Sequence, residues 1–158
     1  MWSLLPFSRG NVTITDASIF TKPAVNVNWL NVDFDLAVQI AGSRLARRVL
    51  NNTAFDTILS GEIVPGTDIV PDDGHGGSGE YWREWIRDSF TSVSHPIGTA
   101  AMMQREIGGV VDGRLRVYDT TNLRVVDASV LPIQVSAHLQ STVYGISEKA
   151  ADIIKSGV

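Results

Sequence analysis

The sequence predicts an α+β fold, a mostly antiparallel sheet with helices on one side. Three observations predict it. Short runs alternate apolar and polar residues as half-buried strands do, other stretches carry apolar residues at helical spacing, and the two kinds are mixed without strict alternation. The 158 residues amount to one ordinary domain, and 44% hydrophobic with 19% charged residues supports a packed core.

Residues 12–15 and 24–30 alternate as strands, with Lys22-Pro23 punctuating between them. Over residues 33–50 the apolar positions Leu36, Ile40, Ala41, Leu45 and Val49 fall on one face of a helix, which leaves Arg44, Arg47 and Arg48 mostly on its wet side. Residues 60–79 are rich in Gly, Pro and Asp and form the longest loop. Ser78 is placed to cap a short helix whose buried face carries Tyr81, Trp82, Trp85 and Ile86. Residues 109–112, 115–118 and 123–126 are short β-prone runs separated by Asp, Gly and Asn turn residues. A last helix is expected over residues 141–154.

Composition excludes several functions. A net charge of −4 lacks the basic face of a nucleic-acid binder, and without cysteine there is no disulfide, thiolate nucleophile or thiolate zinc site. No apolar run approaches the roughly 20 residues of a membrane span, and the first ten residues lack the pattern of a signal peptide. Two sequons, Asn11-Val12-Thr13 and Asn51-Asn52-Thr53, are glycosylation acceptors in a secreted protein.

Some motif-like strings fail on context. Residues 74–79 spell G-x-G-x-x-G, yet they follow Pro71-Asp72-Asp73 rather than a buried strand, and two carboxylates at the mouth repel phosphate. Glu80 stands where the nucleophile elbow G-x-S-x-G needs its last glycine, so a hydrolase built on that elbow is not expected. A Ser-His-Asp set drawn from Ser129 or Ser136, His95 or His138, and Asp127 lacks both elbow and oxyanion loop. No two histidines have the i, i+3 or i, i+4 spacing of a helical metal pair, so no metal is expected, and His75 reads as a solvated loop residue.

His95 and His138 are different. His95-Pro96 fixes an extended bend, Gly98-Thr99 permits close backbone approach, and His138 stands just before a helix whose first N–H groups point outward. Imidazole takes or gives a proton near neutral pH, so two on one pocket suit proton chemistry. From the residues alone a pair of structural histidines fits equally well.

The order Ser8-Arg9-Gly10, His95-Pro96-Ile97-Gly98-Thr99-Ala100-Ala101-Met102, Gly109-Val110-Val111-Asp112, Leu115-Arg116-Val117-Tyr118, Leu123-Arg124-Val125-Val126-Asp127-Ala128-Ser129-Val130-Leu131-Pro132 and Ala137-His138 resembles the C-terminal part of the glucose-methanol-choline (GMC) oxidoreductases. Within that family it is most similar to the branch of fungal glucose oxidase, FAD-dependent glucose dehydrogenase and aryl-alcohol oxidase. The resemblance runs over residues 1–158. It implies the substrate domain of the GMC fold, with a closing helix that packs on an FAD-binding Rossmann domain.

By that resemblance FAD is the cofactor and an alcohol the substrate. His95 matches the proton acceptor and His138 its partner; Asp127 and Ala128 match the ribityl and phosphate side of the flavin, and Gln140, Ser141 and Thr142 the helix start over it. Thr91 and Val93 stand where glucose-oxidising members carry an arginine and an asparagine, so sugar selectivity is expected to be weak. The family's N-terminal FAD-binding segment has no counterpart in these residues, so the chain is expected to be a fragment that partners that segment, as a possible homodimer in full-length form and extracellular like the fungal members. The alternative is a non-catalytic binding module with the same fold.

Overall fold

The computed structural model describes residues 3–157. The fold is α+β, with a short antiparallel two-stranded sheet and three α-helices: β1 (Asn11–Thr13), β2 (Ala24–Asn26), α1 (Asp33–Leu50), α2 (Gly79–Ser89) and α3 (Gln140–Lys155). The chain forms two compact units, one of residues 3–10 and 26–92, the other of residues 11–25 and 93–157.

In the first unit α1 packs on α2 over a core of Leu30, Leu36, Val70, Trp82 and Ile86, with Ile40, Trp85 and Phe90 against it. Ser78 caps α2 as the sequence predicts, its hydroxyl accepting from Glu80 N at 3.2 Å. Tyr81 departs from the expected buried face at 48% exposed, and so do Leu45 and Val49 on α1, because the core gathers around the first half of α1.

The basic triplet is also corrected. Arg47 is not on the wet side: it is buried, with Nε and Nη2 donating to both carboxylate oxygens of Glu62 at 2.7 Å and Nη1 to the Val70 carbonyl at 2.8 Å. Its guanidinium lies 4.6 Å from the Trp82 ring centroid, a cation–π contact, while Trp82 Nε1 donates to the Gly76 carbonyl. A planar fork suits this task because it meets a carboxylate on two bonds at once.

Asp35 organises the other end of α1. Its buried carboxylate accepts from Phe7 N, Ser8 N and Ser8 Oγ at 2.8, 2.7 and 2.5 Å, and Ser8 Oγ accepts in turn from Val32 N. Burial pushes the Asp35 carboxyl up, but these hydrogen bonds outweigh it and hold the pKa below 3.8. A depressed folded pKa gives stability that is present above the unfolded value and is lost as pH falls through the folded one. Asp35→Asn presents an N–H to donors that need an acceptor, and the expected cost is on the order of 3 kcal/mol, read from the denaturant midpoint. The variant should also lose the wild type's acid-dependent decline in stability below about pH 4.

In the second unit a core of Val111, Leu115, Val130 and Ala150 is covered by Val110, Val117, Val125 and Ile146, so α3 contributes Ile146 and Ala150 to it. The expected strands of residues 109–126 pair only as isolated bridges, Val111 with Val117 and Arg116 with Arg124 antiparallel, and Val111 with Met102 parallel. The physical reason is local. Leu115, Asp119 and Asn122 all adopt left-handed backbone, φ 64°, 60° and 59°, and each turns the chain before a ladder can extend. Asn28 at φ 50° and Leu30 at φ 55° likewise end β2 short of residue 30. Gly10 is required where β1 begins, since a Cβ there would lie 2.1 Å from the Asn26 carbonyl oxygen.

Candidate active site

The segment carrying His95 is shaped by its neighbours. Ser94 sits in the left-handed region at φ 60°, and Pro96 then restricts His95 to extended backbone. Beyond it Gly98, at φ 86°, takes a turn that a side chain would strain. The chain then docks on the 3₁₀ turn Ala128–Val130: Ala100 N donates to the Ser129 carbonyl at 3.0 Å and Met102 N to the Val130 carbonyl at 2.8 Å. Asp127 caps that turn, its Oδ1 accepting from Ser129 N at 2.7 Å. Asp127 thus holds the turn on which the His95 segment docks.

The two histidines meet. His95 Nε2 lies 3.0 Å from His138 Nδ1, the ring centroids are 5.2 Å apart, and the planes cross at 65°. At that distance one nitrogen donates and the other accepts, so the pair shares a single proton across the contact. Both cannot be protonated at the facing nitrogens without breaking it. His95 is half-buried and His138 exposed.

α3 starts directly after His138, and no side chain caps it: Leu139 occupies the cap position in helical backbone. The N–H groups of the first turn, on Gln140, Ser141 and Thr142, have no carbonyl one turn earlier to bond. Gln140 and Ser141 are exposed and Thr142 half-buried. An open helix start beside the imidazole pair suits an acceptor-rich or anionic group, and the residues present therefore fit the isoalloxazine oxygens of FAD.

Asp127 is exposed and Ala128 half-buried, both in the same unit as the histidines. Val93, 36% exposed, belongs to that unit too, whereas the exposed Thr91 belongs to the other. Residues 74–78 form a tight turn into α2 rather than a phosphate cradle: Asp73 Oδ1 accepts from Gly77 N and His75 N at 2.7 and 2.8 Å. Those bonds hold the Asp73 carboxyl below its usual range and occupy donors that a phosphate would need. Sequence reasoning missed the role of the Ser129 and Val130 carbonyls, since a backbone acceptor leaves no mark on residue identity.

Comparison with known proteins gives the family of the chain. The sequence profile of the GMC oxidoreductases matches residues 6–147, and the chain belongs to that family. It is 45% identical over 154 residues to the glucose oxidase-like protein fsoC of Humicola fuscoatra, covering 98% of this chain and 25% of that protein. It is 39% identical over 155 residues to a glucose oxidase of Aspergillus carbonarius, again covering 98% and 25%. Among solved structures, a fungal aryl-alcohol oxidase superposes with a TM-score of 0.81 at 34% identity, over 96% of this chain and 24% of that one. The chain thus spans about a quarter of the length of the relatives it matches. GMC oxidoreductases are FAD-dependent.

Proposed function

We propose that this chain supplies the proton-handling side of a flavin-dependent site that oxidises the CH–OH group of an alcohol to a carbonyl. The observation that carries the reading is the 3.0 Å contact between His95 Nε2 and His138 Nδ1 at the uncapped start of α3. FAD, when bound, supplies the acceptor for the hydride of the carbinol carbon. The adenine and pyrophosphate ends of that cofactor are assigned to an FAD-binding segment of the kind the relatives carry, and Gln140, Ser141 and Thr142 to the part nearest the reacting ring.

The chain's own residues then manage the proton. A hydroxyl entering between the rings donates to His95 Nε2 and accepts from the N–H of His138. Two hydrogen bonds of about 2.8 Å meeting at a tetrahedral oxygen hold the nitrogens roughly 4.6 Å apart, so the rings must part to admit substrate. The docked segment behind Ala100 and Met102 keeps His95 in place. His95 takes the hydroxyl proton as the C–H bond is lost, and the donated bond from His138 steadies the alkoxide character that develops on oxygen.

Substrate class follows from Val93. A valine provides no hydrogen-bonding group to hold a sugar hydroxyl, so an alcohol with an apolar body is assigned over an aldose. We expect the complete flavoenzyme to turn over benzyl-type alcohols with a higher kcat/KM than glucose; a clear preference for glucose overturns the assignment. The site is placed outside the cell, as in secreted fungal enzymes of this kind. Among the described residues no helix is long and apolar enough to cross a membrane.

A further inference from the structure

We infer that Asn11 carries an N-linked glycan and that the Asn11/Thr13 face of β1 is consequently a solvent face in the complete enzyme. The inference rests on the extracellular reading above, and not on the alcohol chemistry. Asn11-Val12-Thr13 is an acceptor sequon, and all three residues of β1 are exposed. In a strand, side chains alternate between faces, so Asn11 and Thr13 project on one side and Val12 on the other. The two faces differ in chemistry. The Asn11/Thr13 side is polar, whereas the opposite side carries Val12, 47% exposed.

Backbone geometry fixes this orientation. The approach of Gly10 to the Asn26 carbonyl pins the chain immediately before the sequon, and β1 pairs with β2, so a rotation of the strand that exchanged its faces would break both contacts. The amide of Asn11 makes no hydrogen bond among the described residues. Asn51, in the second sequon, differs: its Nδ2 donates to Asp72 Oδ2 at 3.2 Å where α1 ends, so a sugar there competes with a contact of the fold. Asn11 is therefore the position at which a sugar is accommodated without loss.

The modification transfers an oligosaccharide from its polyprenyl pyrophosphate carrier in the secretory pathway. A bond forms between Asn11 Nδ2 and C1 of the first sugar, the C1–O bond to the pyrophosphate breaks, and the amide proton leaves with the released carrier. No oxidant or reductant enters.

The test is glycopeptide mapping of the full-length protein secreted by a fungal host from its own gene, with peptide N-glycosidase converting occupied asparagines to aspartate. The expected result is aspartate at position 11, and loss of one glycan's electrophoretic shift in both Asn11→Gln and Thr13→Ala, with the shift retained in Thr13→Ser. Flavin content and turnover should be unchanged in all three, since none lies at the histidine site. Recovery of unmodified asparagine at position 11 in the secreted protein, or retention of the protein in the cell without sugar, overturns the inference. Either outcome leaves alcohol oxidation, measured separately, as it stands.

Discussion

His95→Ala in the complete flavoenzyme should leave the cofactor bound and slow its reduction by alcohol about 10²- to 10⁴-fold, the usual contribution of a positioned general base. The loss should lie mainly in kcat, because the proton is drawn away only as the C–H bond breaks. Added imidazole should restore part of the rate, with the neutral form effective, since the cavity left by the ring admits a replacement base. His138→Ala should cost less and raise KM as well, because that ring steadies the oxygen that His95 deprotonates. An unchanged rate of reduction in His95→Ala, measured anaerobically in a stopped-flow instrument, removes His95 from the role given to it here.

The second large effect concerns stability. Arg47→Ala should cost about 3 kcal/mol in denaturant unfolding, because it strands the Glu62 carboxylate and the Val70 carbonyl and strips a face of Trp82. Glu62 keeps some access to water, its side chain 20% exposed, which places the expectation at the lower end of the range for broken buried pairs. Arg47→Lys should be intermediate, as an ammonium satisfies one acceptor at a time and cannot replace the two parallel bonds. A cost below about 1 kcal/mol in Arg47→Ala would mean that the pair behaves as a surface contact.

Much of this was legible in the residues. The extent of α1 and the cap of α2 were both predicted, because periodic apolar positions and a serine before a helix are local signals. The meeting of His95 and His138 was not local. Forty-three positions separate them, and what closes the distance is a pair of backbone bonds to the Ser129 and Val130 carbonyls. Only the ordered blocks shared with the GMC oxidoreductases hinted at it.

Arg47 was misplaced for a similar reason. Its partner lies in a loop fifteen residues away, and a basic triplet with no acidic neighbour at helical spacing reads as a wet face. The strands expected over residues 109–126 shrink to bridges because left-handed backbone at Leu115 is invisible in a leucine. Glycine would have announced it.

The central claim is that the imidazole pair serves alcohol oxidation at a flavin. It is tested most directly by adding a benzyl-type alcohol, without oxygen, to the complete protein and following the visible absorbance of its bound flavin. The account predicts that this absorbance bleaches in the wild type on mixing and falls far more slowly in His95→Ala. A flavin-loaded wild type that keeps its absorbance with every primary alcohol, secondary alcohol and aldose offered would contradict it.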